Sequence, residues 1–420
     1  MGFRPAWAAS KGSMSDLLSY AARGLTQASW VAWLIYFVVM TQATITTVTL
    51  YLHRSQAHRG VDFHPAVAHL FRFWCWLTTG MVTRQWIAVH RKHHAKCETA
   101  EDPHSPRVYG IRAVLWGGVD LYQKAAANAG DLATYGVGAP DDWIERHLYA
   151  RWSAWGPTLL AVISLVLFGV VGIAIWALQM AWIPFWAAGV VNGLGHWCGY
   201  RNFETADTST NLVPWGLIVG GEELHNNHHA FPSSAKFSQR RFEFDGGWML
   251  ICLLRRLGLA QVRRVAPALG FRTHVQQPDV ETVRALLAQR CRILHDYVVG
   301  VITPTLRAEG LDDGRLSRRL QRGLASGGRW LDPASRRELA AFLYQRLRLS
   351  IVCEFRARLA GLTERNGGDA QALLEELKRW CADAEVSQVR VLADFAARLK
   401  GCCIAGKERV HADLLEFARP

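Results

Sequence analysis

Sixteen histidines are spread over the 420-residue chain, and eight of them fall into three short clusters. These are His53-Arg-Ser-Gln-Ala-His58, His90-Arg-Lys-His93-His94 and His225-Asn-Asn-His228-His229. A lone histidine beside an apolar segment is more often a buried, hydrogen-bonded residue than a ligand. Compact clustering argues for the other role, because neutral imidazoles brought together are metal ligands. In the second and third clusters, positions i, i+3 and i+4 share a helical face, and the spacing predicts that all three rings converge on one point. In the first, i and i+5 lie about 140° apart on an ideal helix. Those two meet only at a helix end, or by serving two different ions.

A ninth candidate is His196, in Asn192-Gly-Leu-Gly-His196. It lies near the cytoplasmic end of a predicted membrane pass, with Asn192 one turn deeper on the same face. A histidine inside a membrane helix is costly without a partner, which makes it a functional candidate. A hydrogen bond to a neighbouring helix is the structural alternative. Eight or nine nitrogen donors are too many for one ion. Zinc takes four ligands, usually with sulfur or carboxylate, and His-Glu-x-x-His is absent. Soluble di-iron bundles need two Glu-x-x-His motifs, and only Glu222-Glu-Leu-His225 has that spacing. Imidazole suits iron and copper as well; two irons in an all-histidine shell fit best. Glu98, Asp102, Asp207 and Glu222 are carboxylates that would orient the imidazoles, with a solvated surface role as the alternative for each.

Apolar helices must position these residues. Half of the chain is hydrophobic and its formal net charge is +13. The two are segregated: uncharged runs fill the first two thirds, and arginine-rich helical text fills the last third. Residues 25–52 carry no charge and, at ~1.5 Å per residue, would span a bilayer core of ~30 Å with about two turns to spare. Residues 155–200 carry no Asp, Glu, Lys or Arg. They fit two passes, 157–178 and 182–200, joined by a turn near Gln179 to Pro184. Arg151 and Arg201 flank this stretch, so positive-inside bias places the turn outside and both flanks in the cytoplasm. Residues 63–82 are interrupted by His64, Pro65, His69 and Arg72. They read as an interfacial or re-entrant segment, since a single crossing would put two histidine clusters on opposite sides. This divides the chain into an N-terminal segment, 1–24, a membrane domain, 25–270, and a cytosolic basic helical domain, 271–420.

In the last of these, a helix is predicted from Asp279 to Ile302, stopping at Pro304. Asp332-Pro333 opens another, with Leu343, Leu347, Ile351 and Phe355 on one apolar face. Asn366-Gly367-Gly368 ends that helix and Asp369 caps the next. The nine cysteines show no Cys-x-x-Cys spacing; nothing reads as a disulfide framework or zinc ribbon, which favours a reducing compartment. The first apolar stretch is too long for a secretory signal. Positive-inside bias accounts most simply for the membrane-proximal charge, with anionic lipid headgroups as a second reading. The arginine pairs Arg318-Arg319 and Arg336-Arg337 read as solvated helix faces rather than a nucleic-acid surface.

The cluster spacing is accompanied by Glu98-Thr-Ala-Glu-Asp-Pro-His104, Gly221-Glu-Glu-Leu224, Ala230-Phe-Pro-Ser233 and Glu243-Phe-Asp-Gly-Gly-Trp248. Together, from Thr44 to Arg264, these resemble the membrane stearoyl/acyl-CoA delta-9 desaturase family, and its bacterial members most. The resemblance implies an all-α, integral membrane desaturase fold with a cytoplasmic histidine-box di-iron domain, here followed by a soluble helical domain. It implies two Fe2+ ions on His53, His58, His90, His93, His94, His196, His225, His228 and His229, with Asn192 acting through a water. It further implies a cis double bond, at delta-9, placed in a saturated acyl chain of acyl-CoA or phospholipid, using O2 and two electrons. No flavin, cytochrome or Gly-x-Gly-x-x-Gly motif is present, so the electrons come from a separate donor, a ferredoxin or a flavin/iron–sulfur reductase. The bacterial inner membrane is the expected location. A related fatty-acyl or hydrocarbon hydroxylase is the alternative. The family's familiar eukaryotic members have four passes, against three plus a re-entrant segment here.

Overall fold

The computed structural model describes residues 14–311, 316–364 and 370–405, and these are mostly helical. Asn366-Gly367-Gly368 and Asp369, read as a helix stop and cap, lie outside the described residues, as does the expected N-terminal segment before Met14. The described chain forms two compact units. The first runs to Tyr200 and resumes over Ser209–Val265; the second comprises Arg201–Thr208 and the chain from Ala266 onward. The division therefore falls at 265/266 rather than 270/271, and a short piece from mid-chain belongs to the second unit.

In the first unit, Ser29 caps a helix over Trp30–Thr47, accepting from the Ala32 amide. The helix continues with π winding over Val48–Ala57. Trp30, Leu34, Ile35, Val38 and Val39 on it are exposed. A long helix that buries so little of its apolar surface in protein has the length and composition that could cross a membrane. Trp30–Ala57 and Trp155–Leu194 are the two helical stretches, among the described residues, long and apolar enough to cross a membrane.

The second stretch breaks at a different place from the one expected. Gln179 to Pro184 is helical, and the non-helical residue is Gly169, at φ 63° and ψ −148°. A Cβ on Gly172 would come within 1.9 Å of the Ser164 carbonyl oxygen, whereas eight residues of straight helix span about 12 Å. The chain therefore reverses at Gly169, where only glycine fits the backbone. Leu25 and Thr26 donate their amides to Val166 and Leu167 beside this turn. The helical arms are thus 155–168 and 170–194, in place of 157–178 and 182–200. Pro184 lacks an N–H for the α pattern, and the chain beyond it, Phe185–Leu194, is wound as a π-helix.

The segment between the first two histidine clusters holds a helix over Pro65–Thr79, capped by His64 and closed by Gly80 in the left-handed region. Fifteen residues reach about 22 Å, short of a ~30 Å bilayer core. Its Arg72 pairs with Asp142 at 2.6 Å. The strands are short clips on a helical frame. Val61–Phe63 pairs antiparallel with Ala260–Val262, and Trp215–Gly216 parallel with Phe244–Asp245.

The second unit packs helices around a continuous apolar core that includes Leu286, Tyr297, Leu349, Leu359, Leu377 and Trp380. Leu269–Phe271 and Cys402–Ile404 pair antiparallel to join its ends. Asp279 caps as expected, in a capping box with Thr282. The helix does not run unbroken to Ile302: it interrupts at Gln289, resumes at Arg290, and passes through Pro304 to Ala308. Pro304 occupies the first turn of the last piece, where its missing N–H is harmless. Asp332 accepts from the Ala334 and Ser335 amides. Its helix ends at Tyr344, and Leu347 is 76% exposed. The buried face of the following helix is instead Leu349, Val352, Phe355, Leu359 and Leu362. The predicted four-residue stripe crossed a helix boundary that leaves no strong sequence signal.

Candidate metal centre

All nine histidines come together in the first unit, in two groups. His53, His58, His90, His94 and His228 form one; His93, His196, His225 and His229 form the other. Within each group the ligand atoms lie within 4.8 Å of one another. The clusters do not each converge on one point, as the spacing had suggested. His90 and His94 enter the first group while His93 enters the second, and His225 and His229 enter the second while His228 enters the first. The reason is rotational. Residues i and i+4 differ by about 40° around a helix, but i+3 and i+4 differ by about 100°. Each i, i+4 pair shares a group, and the i+3 residue turns to the other.

The first cluster meets by a route the ideal helix does not offer. Val48–Ala57 is π-wound, and the His58 amide donates to the His53 carbonyl at 3.1 Å, an i to i+5 bond. Such winding brings residues five apart onto one side, and π segments are frequent at functional sites for this reason. His196 follows the π segment Phe185–Leu194 and is indispensable to the arithmetic: without it the second group would hold three imidazoles.

The ring nitrogens face one another closely. His58 Nε2 and His90 Nε2 are 2.7 Å apart, His228 Nε2 lies 2.9 Å from His94 Nε2 and 3.1 Å from His53 Nε2. In the other group, His196 Nε2 lies 3.2 Å from His93 Nε2 and 3.0 Å from His225 Nε2. Metal–imidazole bonds of about 2.1 Å at right angles put ligand nitrogens about 3.0 Å apart. A neutral imidazole has one N–H to give, so such a crowd of nitrogens leaves lone pairs facing one another unless a cation accepts them. The donor set fits metal ions.

Burial, together with the neighbouring imidazoles, pushes His58, His90, His94 and His228 well below the ordinary histidine range. His225 is pushed down in the same way, with Glu222 opposing. The rings are therefore neutral, the form that binds metal.

Carboxylates hold the far nitrogens. Asp102 Oδ1 is 3.0 Å from His93 Nδ1, Glu98 Oε1 is 3.2 Å from His196 Nδ1, and Glu222 Oε1 is 2.6 Å from His53 Nδ1. The other Glu222 oxygen is 3.9 Å from His225 Nδ1, beyond hydrogen-bond reach, so this carboxylate lies near a ring of each group but is close only to His53. Burial alone would raise Asp102 and Glu222, but the adjoining imidazoles hold both well below the usual carboxylate range. Asp207 falls in the second unit, where Thr205 Oγ1 donates to it at 2.7 Å.

Two neighbours were not assigned roles on sequence. The His104 ring lies 4.3 Å from that of His93, its amide donates to Asp102, and burial pushes its pKa down to about 3. Cys97 Sγ is 3.9 Å from His93 Nε2. The signal for His104 was its position two residues after Asp102; Cys97 has none beyond following the second cluster.

Beside the histidines lies a cavity of about 360 Å³, walled by apolar side chains including Val48, Met81, Trp86, Val119, Ile183 and Val191. His53, His90, His225, Glu222, His104 and Asn192 also line it. Its wall contains no lysine or arginine among the described residues.

Comparison with known proteins agrees with this chemistry. A family model described as fatty acid desaturase matches residues 28–242, just over half of the chain. The chain is 30% identical over 247 residues to an acyl-CoA C20 Delta5-desaturase of Anemone leveillei, covering 55% of this chain and 73% of that protein. It is 28% identical to an sn-1 stearoyl-lipid 9-desaturase of Anabaena variabilis, covering 51% and 76%. It is 26% identical to a delta-9 desaturase-like protein of Arabidopsis thaliana, covering 53% and 74%. With histidine groups that could hold metal ions beside an apolar cavity, these likenesses have one meaning: the chain belongs to the fatty acid desaturase family.

Proposed function

We propose that this desaturase is embedded in the bacterial inner membrane with its histidines on the cytoplasmic side, and that it places a cis double bond at delta-9 in a saturated long acyl chain. The chain is carried by acyl-CoA or by a membrane phospholipid. In this reading His53, His58, His90, His94 and His228 hold one Fe2+, His93, His196, His225 and His229 hold a second, and Asn192 acts through a water. The observation that carries it is the two histidine groups abutting an apolar cavity. Iron bound there supplies O2 activation, so that –CH2–CH2–, O2, two electrons and two protons become –CH=CH– and two waters.

The chain's own residues do the positioning. An unactivated methylene offers no polar handle, so the wall from Val48 to Val191 must place it by shape. Glu98, Asp102 and Glu222 fix the ring orientations through Nδ1, which is the usual task of carboxylates behind histidine ligands. Electrons arrive from a separate ferredoxin or flavin/iron–sulfur reductase, and a cationic cytoplasmic face suits an acidic donor.

The test is expression in a host without aerobic desaturases, with a compatible reductase, comparing the intact protein with His93→Ala. Gas chromatography of the acyl chains gives the double-bond position, and mass spectrometry of intact lipids gives the carrier. New delta-9 chains from the intact protein alone are expected. No new unsaturated chain in aerobic cells would refute the reading, and a hydroxylated chain would replace it with the hydroxylase alternative.

A further inference from the structure

The polar side chains in the wall of the cavity beside the histidines are unevenly placed. Where Ile45, Val48 and Val219 line it, the Thr49 hydroxyl among them is already donated to the Gly220 carbonyl at 3.2 Å. Along the helix Ile111–Ala126 the wall carries Tyr122 and Gln123. Gln123 is exposed, so the cavity reaches the surface on that side. The Tyr122 hydroxyl is buried, and among the described residues it has no hydrogen-bond partner. Leaving a buried donor unpaired is costly, and phenylalanine would fill the same space without that cost. An acceptor for this hydroxyl can come from what enters the cavity.

The helix that bears Tyr122 runs antiparallel to the chain that leads to His196. A Cβ on Gly189 would lie 2.5 Å from the Leu115 carbonyl oxygen, and one on Gly118 would lie 2.7 Å from that of Ala188. Glycine therefore lets the two backbones touch. Tyr122, one turn past Gly118, is level with Pro184, and both line the cavity. Asn192 lines it too, one turn before His196. The eight residues from Pro184 to Asn192 cover roughly 10–12 Å of helix. An extended chain advances about 1.2 Å per bond. A group held at Tyr122 thus stands about eight to ten bonds from the histidine side of the cavity.

We infer that Tyr122 is a substrate-binding residue, whose hydroxyl donates to the carbonyl of the acyl ester and so sets how far along the chain the double bond falls. A saturated acyl chain offers one strong acceptor, the carbonyl of its thioester or oxygen ester. Everything beyond that carbonyl is hydrocarbon, which the apolar wall takes by shape. The span from Tyr122 to Asn192 is where a delta-9 bond lies, and well past a delta-5 one. This inference rests on the desaturase reading above and names what holds the polar end of its substrate. Water is the competing partner for the hydroxyl.

The test compares the wild type with Tyr122→Phe, which keeps the ring and removes only the hydroxyl. Binding to purified full-length protein in detergent is titrated without an electron donor, so that nothing turns over. The ligands are stearoyl-CoA, a stearoyl phospholipid and octadecane; the first two tell a thioester carrier from an oxygen-ester one. Tyr122→Phe should bind the ester that the wild type prefers about tenfold more weakly and octadecane as tightly as before. With a reductase supplied, the wild type should give one double-bond position. The variant should add neighbouring positions and show a raised KM. The inference is overturned if the wild type binds neither ester, or if Tyr122→Phe binds the ester undiminished. It is equally overturned if octadecane weakens as much, which would mean water or packing, or if the variant's double bond stays at the single wild-type position. A wild type that makes no unsaturated chain would refute the desaturase reading instead, and the binding comparison, which needs no turnover, would still decide for or against Tyr122.

Discussion

The first unit buries imidazole, carboxylate and guanidinium in numbers and exposes long apolar helices; the second is built around one continuous apolar core. In the first, His53, Arg54, His93, Asp102, Asn227, His228 and Asp245 are buried while Trp30, Leu34, Val38, Val162 and Val170 are exposed. In the second, one apolar core runs from Val283 to Cys402. Buried polar groups are tolerable only when every one is satisfied. Arg54 comes close to this: both its terminal nitrogens reach Asp245, at 3.0 and 2.8 Å, and donate to the Ala235 and Gly220 carbonyls, while its Nε finds no partner. The histidine Nε2 atoms instead face one another in two groups that could hold metal ions. The second unit is thus held chiefly by the hydrophobic effect, and the first combines smaller apolar clusters with a buried polar network.

Removing metal, or a ligand, should have the largest effect and should fall on one unit. His225→Ala or exhaustive chelation should abolish desaturation, read as loss of new unsaturated chains by gas chromatography. In scanning calorimetry of protein in lipid nanodiscs, the transition of the first unit should move down while that of the second stays in place. Equal movement of both would break the comparison.

The converse is Leu359→Ala. Leu359 is fully buried in the second unit's core, and truncating such a leucine costs about 2–5 kcal/mol. The second transition should fall and the first should not. Below that transition, iron content and product should match the wild type.

Asp102→Asn is a gentler blow to the first unit. It keeps the shape of the partner at His93 Nδ1 but removes the charge, and loss of such a partner lowers metal affinity by about 10–100-fold. Competition with a chelator measures it. An unchanged affinity would mean that His93 is oriented by packing alone.

These contrasts mark what the chain's text could reveal. That the nine histidines gather was legible because eight of them cluster in the sequence, and Glu98, Asp102 and Glu222 because they lie close to those clusters. Their division into groups was not, since it turns on the rotation between His93 and His94 and on the π winding that joins His53 to His58. Composition marked the two long apolar helical stretches, but not that Gly169 rather than Gln179–Pro184 makes the turn. Nothing in Arg201–Thr208 announces a piece of another unit. That membership is a property of what packs on it, and packing partners such as Cys291 and His295 lie far along the chain.

Acid should separate the two units more finely, and at its smallest this rests on one helix cap. In the metal-free first unit, His58, His90, His94, His225 and His228 have folded pKa values below the ordinary 6.5. Above about pH 6.5 both folded and unfolded forms are neutral and nothing changes. As pH falls below it, the unfolded chain takes up protons that the folded one refuses, so the first unit loses stability from about 6.5 downward. In the second unit the titrating caps are carboxylates. Asp332 is held at about 2 by the Ser335 amide and hydroxyl, and Asp279 is held low by Arg272 and the Thr282 amide. Their contribution is whole above the unfolded value of about 3.9 and declines only as pH drops below it toward the folded values. Between about pH 5 and 6.5 the first transition should therefore move while the second, whose Glu204 carboxyl is also held below its ordinary value, stands still. Asp279→Ala should lower the second unit's stability by about 1 kcal/mol at neutral pH, the usual worth of an N-cap, and should flatten its decline below pH 4. A second-unit transition already falling at pH 6 would show that buried imidazole contributes to it as well, and the division of labour between the units would fail.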